Sequence, residues 1–138
     1  MKWRQSYIQS VLVAVGLFYM VTAGLLLLAP LWFFENVGDY PPYNRHFIGD
    51  AGSFMLALGL VLLWAVRDPI RYRPMIAIVG AASLVHAINH IIDDFILNPS
   101  TFSIMSNMAL FIIAFAILLA AWWAVPQSQV AQELGRRA

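Results

Sequence analysis

Residues 7–30 read YIQSVLVAVGLFYMVTAGLLLLAP, a run without one charged side chain. An α-helix rises 1.5 Å per residue, so a run of this length covers the ~30 Å hydrocarbon core of a bilayer. Three more runs of similar character follow, at about 47–66, 75–92 and 102–125. Between them lie short polar or proline-containing connections. Pro74 suits the first turn of the third run, where a missing N–H costs little, and Pro126 closes the fourth. The pattern predicts an all-α integral membrane four-helix bundle, one domain over 1–138 with a polar tail at 126–138.

Composition agrees. The chain is 62% hydrophobic and only 11% charged, against about 25% charged in soluble domains, and its mean hydropathy is +0.76. A net charge of +1 gives no footprint for nucleic acid; the lipid bilayer is the expected partner. There is no cysteine, which excludes disulfides, thiolate metal ligands and cysteine nucleophiles. Lys2 and Arg4 before the first run resemble the start of a signal peptide. That run is too long for such a segment and no small-x-small site follows, so it reads as a retained helix.

The basic residues set the orientation. Lys2, Arg4, Arg67, Arg71, Arg73, Arg136 and Arg137 fall on one side of an up-down-up-down arrangement, and only Arg45 on the other. The positive-inside rule therefore puts both termini and the middle connection in the cytoplasm. Trp3, Trp32, Trp64, Trp122 and Trp123 sit near the ends of the predicted spans, as an aromatic belt requires.

Against this background the stretch HAINHIIDD, residues 86–94, stands out. It ends an apolar helix with two histidines and two aspartates. His86, His90 and Asp93 recur with Ser83 at helical spacing, on one face. On the second span, His46 and Asp50 are an i, i+4 pair with Ser53 on the same stripe. Ser103, Ser106 and Asn107 on the fourth span, and Tyr19 and Thr22 on the first, bring polar groups to the same outer half. The cytoplasmic halves hold no ionisable group and read as sealed. Ionisable groups within a membrane face the bundle interior or a water-filled cavity and find partners. Short connections make the second and third spans antiparallel neighbours. His46, Asp50, His86, His90 and Asp93 are therefore expected to meet in a pocket open to the outside.

Two readings of that cluster compete. In one, His86 and His90 grip a cation from a single helix, Asp50 supplies a carboxylate, and His46 or Asp93 completes the set. Imidazole and carboxylate without thiolate suit zinc or non-haem iron. In the other, histidine and aspartate satisfy each other near the headgroups, where charge costs less than the ~3 kcal/mol of the membrane centre. Asp94 fits the second reading better, at a helix end in water. His86 and His90 share one helix and cannot be the two axial ligands of one haem.

The connection LWFFENVGDYPPYNRHFIGDAG, residues 31–52, reads as an interfacial turn with an aromatic belt, or as a lid over the polar pocket. Glu35 and Asp39 read as solvated charges. Gly49 and Gly52 permit close helix contact, and Gly16, Gly24, Gly59 and Gly80 read as packing positions.

The elements P-P-aromatic-N-x-H-x-x-x-D-x-G (Pro41, Pro42, Tyr43, Asn44, His46, Asp50, Gly52) and H-x-x-x-H-x-x-D (His86, His90, Asp93) resemble those of small, uncharacterised four-helix bacterial membrane proteins. The plan is also similar to DoxX-like membrane proteins, although no specific DoxX residue matches. The resemblance covers about Phe33 to Asp94. It implies a four-helix fold and a bacterial cytoplasmic membrane location, and it brings no activity.

Three functions stay open at this stage. The first is a protein that binds a metal or small ligand, or an enzyme built on that site, with paired acidic groups as a further enzymatic variant. The second is a structural or accessory subunit, in a homo-oligomer or a larger membrane complex. The third is a transporter or proton pathway, against which the apolar inner halves argue, since a conduit needs polar groups at all depths.

Overall fold

The computed structural model describes residues 2–38, 41–97 and 101–125. Asp39, Tyr40, Asn98 and the tail 126–138 with Arg136 and Arg137 lie outside the described residues, as do the side chains of Lys2, Asp94 and Ser103. Among the described residues there are five helices: α1 (Lys2–Leu28), α2 (Pro30–Asn36), α3 (Arg45–Ala65), α4 (Arg73–Leu97) and α5 (Thr101–Trp123). No strand occurs among the described residues. All but α2 are long and apolar enough to cross a membrane, which is the architecture of a multi-pass membrane protein.

Local chemistry explains the boundaries. Pro30 has no N–H to donate back into α1, so the helix breaks at Ala29 and Pro30 opens α2 in the position proline favours. The carbonyl of Ala29 accepts from Phe33 N–H at 3.0 Å, so the chain turns without stranding that group. Asn44 caps α3, its Oδ1 accepting from the N–H groups of His46 at 3.0 Å and Phe47 at 3.3 Å. Asp68 does similar work in the turn before α4, its Oδ1 accepting from Arg71 N–H at 3.1 Å.

The four long helices form a ring in the order α1, α3, α4, α5, so that α1 and α4 stand on one diagonal with no close backbone approach between them. Two sides of the ring are tight. A Cβ built on Gly59 would lie 3.0 Å from Gly16 O and 3.2 Å from Met20 N; α1 and α3 cross here with backbone nearly against backbone, as small residues allow. Gly80 plays the same part on α4, where a Cβ would meet Leu118 Cδ2 at 2.8 Å on α5. The α1–α5 side is sparser. Tyr7 O–H donates to Ala116 O at 3.4 Å, and Trp123 packs edge-on against Trp3 and Tyr7. The α3–α4 side is also sparse.

The core is concentrated toward the end that carries the arginines. Leu12, Leu62, Ile76 and Ile117, one from each long helix, are fully buried there. Arg73 Nε donates to Ala121 O at 3.0 Å and ties α4 to α5 at that end. The half at the arginine-bearing end is therefore the packed, apolar one.

Candidate functional site

The polar groups of the half away from the arginines, the outer half if the basic residues mark the cytoplasmic side, fall into separate small sets. On α3, His46 Nε2 and Asp50 Oδ2 are 3.5 Å apart, with side chains 86% and 56% exposed. Their i, i+4 relation follows from the start of α3 at Arg45, which Asn44 fixes. Ser53 is exposed and donates to the carbonyl of Gly49, four residues back. None of these three side chains is buried against α4.

On α4 the two histidines are half-buried and stand edge to face, ring centroids 4.5 Å apart. One turn further along, Asn89 Nδ2 donates to Asp93 Oδ2 at 3.0 Å. Asp93 thus has a partner on its own helix. Among the described residues no three of His, Asp and Glu come close enough together to hold a metal ion. The structure brings His86 to His90, and His46 to Asp50, but it does not gather His46, Asp50, His86, His90 and Asp93 into one group. The reason lies in the packing: glycines draw α3 onto α1 and α4 onto α5, and nothing comparable draws α3 onto α4.

Ser83 has a different partner from the one its stripe suggests. It is buried, and its Oγ lies 2.6 Å from the hydroxyl of Tyr19 on α1, across the diagonal of the ring. Ser83 also donates to Val79 O at 2.7 Å. A serine hydroxyl has one proton, so with that proton on Val79 O the bond across the bundle runs from Tyr19 O–H to Ser83 Oγ. This relay forms a polar floor one turn below His86. Asn107 of α5 is buried in the outer half as well. Tyr19 and Ser83 were both visible as polar positions within apolar spans; only the rotation of the helices makes them a pair.

The connection after α1 is neither a plain turn nor a lid on the histidines. It contains α2, which approaches α1 and α3 and makes no close approach to α4. Under it lies an apolar cavity of about 390 Å³, lined by Leu26, Phe33, Phe34, Phe47 and neighbouring residues. Phe34 and Tyr43 meet edge to face beside it. The aromatic side chains therefore cover the C-terminal end of α1 and the start of α3, and α2 does not cover the α4 histidines.

No known family model, curated protein or solved structure matches this chain. What the outer half can do chemically has to be read from its own residues: a pair of neighbouring imidazoles, a hydroxyl relay beneath them, and an exposed histidine–carboxylate pair on the next helix.

Proposed function

We propose that this chain is a multi-pass protein of the bacterial cytoplasmic membrane that binds a divalent cation or a small polar ligand in its outward half, through His86 and His90. The observation that carries this reading is the pair of half-buried imidazoles with centroids 4.5 Å apart on a helix long and apolar enough to cross a membrane. Such a separation is compatible with both nitrogens approaching one cation at ~2.0–2.1 Å. Water, Asp93, or Asp50 and His46 from α3 would complete the shell, and zinc or non-haem iron matches that donor set. The packed apolar inner half supports a binding role over a conduit.

The test is elemental analysis of the purified protein with zinc, iron and manganese add-back. Near-stoichiometric metal is expected, lost in His86→Ala and in His90→Ala while helical content is kept. Metal should also leave as the pH falls below about 6, because imidazole binds only when neutral. Folded, metal-free protein whose thermal stability none of the three metals changes would refute the metal form of the reading.

A second reading has its own observation. The His46–Asp50 pair is largely exposed on a helix that would lie in the bilayer and that also exposes Phe47 and Phe54, each 72% exposed. An ionisable pair there is better covered by protein than by lipid. In this reading α3 is an assembly face for an accessory subunit or a homo-oligomer. Particle mass in mild detergent decides it: a single mass equal to one chain, unchanged in Asp50→Asn, would remove this reading.

A further inference from the structure

The opposite end of the bundle holds a second cavity that the outer-half reading does not use. It measures about 340 Å³ and lies between the first turns of α1, the α3–α4 turn and the end of α5. Its polar lining comes from Arg4, Gln5, Gln9, Arg67 and Asp68, and Trp123 closes one side.

Among the described residues, the basic groups of this cavity have no ion-pair partner. Arg4 Nε is buried and has no hydrogen-bond acceptor among the described residues. Arg67 sits over the ring of Trp64, its guanidinium carbon 4.2 Å from the ring centroid, a contact that needs no carboxylate. Asp68 is the one acidic residue among the described residues of the lining. One of its oxygens is committed to the N–H of Arg71, and among the described residues neither Arg4 nor Arg67 forms an ion pair. A buried guanidinium N–H without an acceptor calls for an explanation. An anion that accepts from several donors at once supplies one. Phosphate oxygens match the guanidinium fork, and the side-chain amides of Gln5 and Gln9 offer further donors. The positive-inside rule puts this end at the cytoplasmic leaflet, where anionic lipid headgroups are concentrated and where basic pockets between helices take them up.

We infer that the cavity between α1, the α3–α4 turn and the end of α5 is a binding site for a phosphate-bearing anion, held by Arg4 and Arg67. The phosphate comes either from the headgroup of an anionic phospholipid or from a solute.

The experiment uses the full chain in a nonionic detergent. Native mass spectrometry follows binding of phosphatidylglycerol and, separately, of phosphatidylcholine, with inorganic phosphate as competitor. One phosphatidylglycerol per chain is expected, at least about five-fold tighter than phosphatidylcholine. Arg4→Gln and Arg67→Gln should each weaken it about five-fold, the scale of one basic group at a membrane surface. Arg71→Gln, exposed and outside the cavity lining, should change it less than two-fold. Arg4→Lys keeps the charge without the fork and should fall between wild type and Arg4→Gln. Circular dichroism checks that each variant is helical, and if Arg4→Gln fails to fold, Arg4→Lys and Arg67→Gln decide the matter. Displacement by millimolar phosphate, or phosphate binding without lipid, would assign a soluble source; resistance to phosphate would assign the lipid. Equal binding of the two lipids with no phosphate binding would overturn the inference, and so would an Arg71→Gln effect as large as that of Arg67→Gln.

Discussion

The hydroxyl relay across the bundle diagonal makes an asymmetric prediction. Tyr19 O–H donates to Ser83 Oγ, and Ser83 donates to Val79 O. Tyr19→Phe removes the donor but leaves the serine bonded to its own helix, so no buried donor is stranded. The loss is one interhelical hydrogen bond, ~0.6 kcal/mol on average in membrane helices and up to about 1.7. Ser83→Ala removes the acceptor and leaves the tyrosine hydroxyl buried beside a methyl group. An unsatisfied buried donor costs ~1–3 kcal/mol, so although each variant deletes a single hydroxyl, Ser83→Ala should do the greater damage. The double variant removes donor and acceptor together. It should therefore be more stable than Ser83→Ala alone and close to Tyr19→Phe. Reversible unfolding in mixed micelles, followed by far-UV circular dichroism against the mole fraction of denaturing detergent, resolves differences of this size. If Tyr19→Phe costs as much as Ser83→Ala, or the two losses simply add, the proton assignment is wrong.

Other perturbations test other parts of the structure. Gly59→Ala drives a methyl group to 3.0 Å from Gly16 O and 3.2 Å from Met20 N, and should cost ~1–3 kcal/mol by overpacking. Gly24→Ala meets nothing within 4 Å and should stay within about 0.5 kcal/mol of wild type; the same unfolding assay reads both. Asn44→Ala removes the acceptor for two N–H groups at the start of α3 and should cost about 1 kcal/mol, whereas Asn44→Asp should be nearly neutral. A reporter active only outside the cytoplasmic membrane should be silent when fused after Ala138 and active after Asn98; the reverse pattern would invert the orientation on which both proposed sites are placed.

The sequence was most informative where one physical requirement acts alone. Spanning a bilayer needs length and apolarity, and the four long helices fall on the four apolar runs. Their limits moved by a few residues where caps decide them: α3 begins at Arg45 because Asn44 caps it, and α4 runs to Leu97, beyond the apolar stretch. Pro30 was read as the end of the first span, but the same missing N–H that ends α1 also suits the start of α2. The aromatic run 32–34 hid that short helix, because membrane-interface turns and interfacial helices share a composition. The polar residues could be ranked by depth, but depth does not fix rotation about the helix axis. Ser83 shares a stripe of α4 with His86, His90 and Asp93, which the sequence turns toward α3, yet it reaches Tyr19 across the ring. Loop length gave the order of the helices correctly and said nothing of how closely each pair packs. Gly16, Gly59 and Gly80 carry that information, and only when their partners are known.

The two kinds of packing bear directly on where a ligand can act. The tight pairs are α1 with α3 and α4 with α5, each drawn together by glycine, so the bundle is two hairpin-like halves that meet along sparser seams. At the arginine-bearing end those seams are filled by the buried layer of Leu12, Leu62, Ile76 and Ile117. In the outer half, Tyr19–Ser83 is a polar tie that crosses between the halves. His86 stands one turn from Ser83, on the same helix and near the less crowded α3–α4 seam. A ligand held by His86 and His90 alone would bind one half of the bundle, whereas a ligand that also took Asp50 would draw α3 toward α4 and close the seam. Proteolysis or amide exchange of α3 separates the two cases: protection spreading from α4 to α3 on adding zinc means that Asp50 has joined the site. Protection confined to α4 means that the imidazole pair works with water alone. Because Tyr19 and Ser83 brace the same two halves, any such closure should be weaker in Tyr19→Phe than in wild type. An equal response in the two proteins would separate the tie from the site.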